Sequence, residues 1–231
     1  MAKQFCIAQN VHLRAISGNT LILDANRDQY LRLDRKQSAW LAEVLDASDK
    51  SVHISDSARK FLEHAISIGL IELADQNERQ NNQCQRRAPE NALSISAFST
   101  DKPRLAGARQ VANAVIASWW VNKQKSFCDT MRIARTWKAN TNTHSAEDID
   151  WVMSKAQTFH SLTPLFFTTK NQCRFRSLVL FKYFSSLGVS VDWVFGVRDS
   201  PFAAHCWVEF QGWLLNDHLE NASSYRPIMS I

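Results

Sequence analysis

The sequence contains no Cys-x-x-Cys pair, no glycine-rich phosphate loop and no apolar run of about 18 residues. Each absence removes a class of function. Five cysteines, at 6, 84, 128, 173 and 206, are odd in number and irregularly spaced, which argues against a disulfide framework and against a zinc site. His12, His53, His144, His160 and His218 show no metal-ligand spacing, so solvated or capping roles are expected for them and no metal is implied. The opening stretch MAKQFCIAQNVHLRAI lacks the apolar core of a signal peptide, and no membrane span is expected, so a reducing cytoplasm is the expected compartment. The net charge of +5 comes without any dense Lys/Arg cluster, so no nucleic-acid partner is expected either.

What is present suggests an α+β chain of two modules. VHLRAIS, TLILDA and QYLRLD read as three short strands separated by turn signals, GN at 18–19 and NRD at 26–28. Asp34 is placed to cap a helix carrying Ala39, Trp40, Leu41, Val44 and Leu45. Ser55 or Asp56 caps a second, with Phe61, Leu62, Ala65, Ile66 and Ile68 on one face and Gly69 at its end; LIEL then returns as a strand. Residues 1–75 therefore form a small winged-helix-like domain. ADQNERQNNQCQRRAPENA is almost free of apolar residues and reads as part of a linker over 76–95. A second domain, 96–231, begins with helices; Trp119 and Trp120 are expected in a helix core, and TPLFFTTKNQ as a loop before residue 173.

The chemistry lies in that second domain. QCRFRSLVLFKYF reads as an amphipathic helix with a thiol in its first turn, flanked by Arg174 and Arg176. A helix N-terminus and nearby positive charge favour the thiolate, whereas a cysteine kept for packing prefers apolar neighbours. Gly188 ends the helix, and two strands follow with a tight turn at Gln211-Gly212. His205 opens one strand and Asp217 ends the next. This order fits a cysteine triad on a papain-like or transglutaminase-like core: Cys173 as nucleophile, His205 as base, Asp217 as the group orienting the imidazole. Arg174 and Arg176 are positioned to assist the thiolate or to bind substrate carbonyls. Asp192 and Asp199 read as turn or surface residues.

CRFRSLVLFKYFSSLGV, then WVFGVRDSPFAAHCWVEFQGWLLND, carries the pattern C-R-x-R-S-L, G-V-R-x-x-P-F-x-A-H-x-W-V-E and N-D. Over about residues 165–220 it resembles the leader peptidase, or B protein, of lasso-peptide biosynthesis, and residues 1–75 resemble the RiPP recognition element. The resemblance implies a cysteine peptidase with the Cys173, His205, Asp217 triad, which binds and removes the leader of a ribosomally made precursor peptide. An asparagine-synthetase-like partner would then form the macrolactam. It also implies ATP-dependent proteolysis, although no sequence motif here binds a cofactor. Cys206 stands where the family commonly has alanine and is expected to be packing on the strand face opposite His205. An extended leader would add to the QYLRLD edge against the SARKFLEHAISI helix, near Tyr30, Leu33, Lys60 and His64. Two alternatives stand beside this reading: a transglutaminase-like acyl transferase to an amine, and a non-catalytic peptide-binding carrier.

Overall fold

The computed structural model describes residues 3–46, 54–75, 84, 86, 89, 91–92, 107–141, 148–167 and 173–231. It divides into two compact units, Met1–Gln85 and Arg86–Ile231. Most of the linker expected at 76–95 lies outside the described residues, as do His53 and His144.

In the first unit, β2 (Val11–Ile16), β3 (Asn19–Asp24) and β4 (Gln29–Leu33) form an antiparallel meander in that order. The first turn falls one residue earlier than its sequence signal. Ile16 pairs with Asn19, and Ser17 and Gly18 both take positive φ, 52° and 87°, as a two-residue hairpin turn with the native strand twist requires. At the second turn Asp24 is buried, and its Oδ1 accepts from the backbone N–H groups of Asn26 and Arg27 at 3.0 and 3.2 Å.

Helix α1 (Arg35–Asp46) starts at a reciprocal capping box. The Gln37 N–H donates to Asp34 Oδ1 at 2.9 Å, and the Asp34 N–H donates to Gln37 Oε1 at 3.1 Å. Helix α2 (Asp56–Ser67) is capped by Ser55, whose N–H and hydroxyl both donate to Glu43 of α1. Leu41 and Val44 of α1 and Ala58, Leu62 and Ala65 of α2 close over Val11, Leu13, Ile22 and Leu33 of the sheet. The strand expected after Gly69 is β5 (Ile71–Asp75). It pairs with β1 (Lys3–Ile7), a strand for which the sequence offers little local signal.

The second unit is a five-stranded sheet in the order β10-β7-β8-β9-β6: β6 (Asn91–Ala92), β7 (Asp192–Arg198), β8 (Ala203–Phe210), β9 (Trp213–Leu214) and β10 (Arg226–Ser230). The pairs are antiparallel except β6 with β9. Residues assigned by sequence to the linker thus join this unit. Asn91 and Ala92 add its edge strand, and Arg86 Nε and Nη2 both donate to Glu209 Oε2, at 3.1 and 2.5 Å. The helices are α3 (Ala108–Gln124), α4 (Phe127–Ala139), α5 (Ile149–Phe166), α6 (Cys173–Ser186) and the short α7 (Leu219–Ala222).

Helix α6 is central. It packs on β7 and β8 on one side and on α3 and α4 on the other. Five consecutive residues, Ser177 to Phe181, are buried, as are Tyr183 and Phe184. A helix with one solvent face cannot bury five in a row, so the amphipathic reading gives way to an enclosed helix. Truncating one of its buried aromatics, such as Phe184, costs about 3–5 kcal/mol. Past its end, Gly188 takes φ 80°, and the Gly188 and Val189 N–H groups return to Ser185 and Phe184 carbonyls.

Two further expectations change. Helix α5 continues through Pro164 to Phe166, so the first residues of the expected loop are helical. The proline forgoes one backbone bond near the helix end, while the Thr163 hydroxyl bonds the Phe159 carbonyl at 3.1 Å. Trp119 and Trp120 are exposed, because Val111, Ala114, Ser118 and Val121 form the inward face of α3.

Candidate active site

Cys173 is the first residue of α6 and is partly exposed. The N–H groups of the first helical turn have no partner within the helix, and their partial positive charge favours an anion there. The position of the helix is set by a buried polar chain. Ser177, one turn beyond Cys173, donates its hydroxyl to the Cys206 carbonyl at 3.1 Å and accepts from Asn216 Nδ2 at 2.9 Å. Asn216 Oδ1 in turn accepts the Val208 N–H at 2.8 Å. One serine and one asparagine thereby lock the helix bearing the thiol to the strand bearing the imidazole.

His205 lies on β8, and Asp217 follows β9 by three residues. His205 Nε2 and Asp217 Oδ2 are 2.6 Å apart. That bond leaves Nδ1 as the ring nitrogen for the thiol. The carboxylate is held from other directions as well: the His218 N–H donates to Oδ1 at 2.7 Å, and Asn221 Nδ2 lies 3.1 and 2.9 Å from Oδ1 and Oδ2. The imidazole lies near Tyr225 and Trp207, with ring centres 5.2 and 6.0 Å away. Gly196, paired with His205 across the strands, makes room for this packing, since a Cβ there would lie 2.5 Å from Trp207 and 2.9 Å from Tyr225.

The electrostatics follow from these contacts. Hydrogen bonds from the Cys206 thiol and from His205 outweigh burial and hold Cys173 down to about 4. Burial pulls His205 down, but hydrogen bonds to Asp217 and Cys173, with their charges, outweigh it and raise the imidazole to about 9. Burial opposes ionisation of Asp217, yet the His205 bond keeps its pKa below the usual carboxylate value. The thiol titrates below the imidazole, so a thiolate–imidazolium pair exists between about pH 4 and about pH 9.

Cys173, His205 and Asp217 are thus brought together. Other sequence readings change. Cys206 is buried, but its thiol bonds to Cys173 instead of packing inertly, because α6 crosses the face of β8 that Cys206 occupies. His160, expected to be solvated, is 5 % exposed. Its Nε2 lies 2.7 Å from the Leu215 carbonyl and its Nδ1 3.1 Å from Arg176 Nη2. Arg176 therefore turns to His160, whereas Arg174 is exposed with its guanidinium 5.1 Å from the Phe127 ring centre. Asp192 is half-buried between Arg86 and Lys138, at 2.7 and 2.5 Å. His218 is exposed at the N-cap of α7. Nothing in the local sequence marks Cys206, His160 or Asn221, since each acquires its role through a contact made by the fold. Among the described residues no group of three His, Cys, Asp or Glu is placed to hold a metal ion, and no helix is long and apolar enough to cross a membrane.

In the first unit Tyr30 is half-buried on β4, and Lys60 and His64 are exposed on α2. Leu33 is a correction: at 8 % exposure it belongs to the core and offers no surface contact. A cavity of about 580 Å³ lies by β2, the opposite edge strand, lined by Arg14, Arg35, Ser38 and Leu45 among others. There the Arg14 guanidinium donates to the Cys84 carbonyl.

A thiol at a helix tip, facing an imidazole that a carboxylate just past a neighbouring strand holds, is an arrangement suited to thiol-dependent acyl chemistry. A family model described as the transglutaminase-like superfamily matches residues 111–230, more than half of the chain and all three of these residues. The chain belongs to that superfamily. Comparison with curated proteins and with solved structures gives no significant match.

Proposed function

We propose that this protein is a cysteine peptidase that removes the leader from a ribosomally made lasso-peptide precursor, before an asparagine-synthetase-like partner closes the macrolactam. The observation that carries the proposal is the Cys173–His205–Asp217 constellation, with its low thiol pKa and high imidazole pKa. Membership of the transglutaminase-like superfamily supports thiol acyl chemistry, and the C-R-x-R-S-L and A-H-x-W-V-E pattern supports the narrower assignment.

In the proposed reaction the Cys173 thiolate attacks the scissile carbonyl. Backbone N–H groups at the tip of α6 face the developing oxyanion. The His205 imidazolium gives its proton to the leaving amine, and a thioester remains on Cys173. Neutral His205 then takes a proton from water, which attacks the thioester and frees the thiol. Asp217 keeps the proton on Nε2 and Nδ1 directed at sulfur throughout. The same thioester passes to an amine if one is seated in place of water, which is the acyl-transferase alternative.

The first unit is assigned to the leader. β4 is an edge of its three-stranded sheet, paired only to β3 within it, so an extended peptide can add there near Tyr30, Lys60 and His64. Fusing this unit to the peptidase raises the effective concentration of the scissile bond. Among the described residues the five glycines with positive φ are scattered singly along the chain, so they form no glycine-rich phosphate cradle. No step above involves ATP.

The test is Cys173→Ala on the full chain, with a leader-bearing lasso-peptide precursor as probe. Lost cleavage with retained leader binding is the expected result. Unchanged processing overturns the assignment, and an amide adduct with an added amine, in place of hydrolysis, moves it to acyl transfer. Tyr30→Ala against Arg14→Ala in the same binding assay separates the β4 edge from the cavity beside β2.

A further inference from the structure

We infer that Arg176, held by the buried imidazole of His160, is a positioning residue that sets the electrostatic level at which the whole Cys173–His205–Asp217 site titrates. The inference rests on that site being the reactive one.

Arg176 lies three residues after Cys173, on the same side of α6. Its Nη2 is 3.1 Å from His160 Nδ1. The other ring nitrogen, Nε2, is 2.7 Å from the Leu215 carbonyl, which can only accept. His160 therefore carries its proton on Nε2 and offers a lone pair at Nδ1 to the guanidinium. Burial together with the Arg176 charge keeps this imidazole neutral, down at about 3. One uncharged histidine of α5 thus ties a cation on the nucleophile's helix to the segment that ends, two residues later, in Asp217.

The arrangement is costly as scaffold. A guanidinium taken out of water needs a counter-charge, and its own hydrogen-bond partner here is neutral. Among the described residues, Arg176 Nε is buried with no partner. Burial lowers the Arg176 pKa, and the charge that supports it is that of Asp217. Among the described residues, the other titratable or charged groups around the site include Cys173 and exposed Arg174 on α6, His205 and Cys206 on β8, Tyr225 against the His205 ring with half-buried Arg198 over it, His218 beside Asp217, and exposed Glu220 on α7. Of these cations, Arg176 is the half-buried one on the nucleophile's own helix, and Asp217 is the charge that supports it.

Its effect follows from counting charge. With the thiolate, imidazolium and carboxylate all formed, the site sums to −1. Protonating the thiolate brings it to 0, and deprotonating the imidazolium brings it to −2. A nearby fixed cation favours the more negative state at each step, so it lowers both titrations together and leaves their separation unchanged. At an effective dielectric of about 20, a unit charge about 12 Å away moves a titration by about one pH unit, and a nearer one by more.

The experiment measures alkylation of Cys173 by iodoacetate against pH, read by peptide mass, in the full-length wild type and in Arg176→Gln and Arg176→Lys. Iodoacetate needs the thiolate as nucleophile and is drawn in by the imidazolium, so the wild type gives a bell. The glutamine variant is expected to move both limbs up by about one pH unit at constant width, and the lysine variant, which keeps the charge, to stay on the wild-type curve. Limbs that move towards each other, or that do not move, overturn the inference. If Arg176→Gln melts out, Arg176→Met carries the same expectation, and failure of both to fold while Arg176→Lys folds assigns the residue to scaffold and overturns it too. A wild type with no bell at all is a failure of the site assignment instead.

Discussion

Replacing Asp217 by asparagine tests the central electrostatic claim. The substitution keeps the size and an acceptor oxygen but removes the charge facing His205 Nε2 at 2.6 Å. The imidazole titrates at about 9, against 6.5 for an ordinary histidine. That difference corresponds to about 3 kcal/mol of preference for the imidazolium. It arises against burial and is shared between Asp217 and Cys173, so about half is lost with the carboxylate. The side chains of His205 and Asp217 are 18 % and 11 % exposed, so solvent screens the pair only weakly. The alkaline limb of Cys173 alkylation by iodoacetate should therefore fall by about 1–2 pH units from about 9. The acid limb should stay near 4 or fall slightly, because the imidazolium is still fully charged there and the thiolate loses a neighbouring negative charge. The bell narrows from its alkaline side, unlike the upward shift of both limbs expected for Arg176→Gln. An asparagine variant whose bell superposes on the wild type refutes the argument that the carboxylate holds the imidazole in its charged form.

Three further outcomes are expected. Cys206→Ala removes the first-ranking support of the thiolate, so the acid limb should rise from about 4 while the alkaline limb stays near 9; an unmoved acid limb would return Cys206 to inert packing. Gly196→Ala places a Cβ 2.5 Å from Trp207 beneath His205 and should cost about 2–3 kcal/mol in chemical denaturation together with a slower alkylation rate; a variant matching wild type in both contradicts the close approach. Arg86→Met leaves Glu209, 1 % exposed, with the Trp207 indole N–H but without its cation; unfolding free energy should fall by about 3 kcal/mol and recover in part on adding Glu209→Gln, and a loss below about 1 kcal/mol would show that the pair is peripheral.

The three candidate residues were legible because each stands at a boundary that local chemistry marks. Cys173 opens a helix whose end Gly188 signals, His205 follows a loop into a strand, and Asp217 follows the Gln211-Gly212 turn, where both residues take positive φ. The same local signals located the β2–β4 meander and both caps of the first unit. Elements whose partners are remote in sequence were not legible. β1 pairs with β5 across more than 60 residues, and β10 is a buried Pro-Ile-Met run without alternation that becomes a strand beside β7. No periodicity separates an enclosed helix from an amphipathic one when both are rich in Leu, Val and Phe, which is why the sequence of α6 suggests a solvent face that the fold does not give it.

The residues that tune the site fall in the second class, for a physical reason. A nucleophile needs its environment to be local, because the helix terminus is part of its own backbone. A tuning group needs only to arrive in three dimensions. His160 meets a carbonyl 55 positions away, and Ser177 meets one 29 positions away. Their identities, a histidine amid a helical run and a serine in an aromatic helix, look unremarkable until the fold fixes what lies opposite. Motif reading on a chain of this kind therefore finds the reacting atoms before it finds what sets their pKa values. The profiles of Arg176, Cys206 and Asp217 variants separate the two, since a charge acting at a distance shifts both limbs, a donor to sulfur shifts one, and a holder of the imidazole narrows the bell.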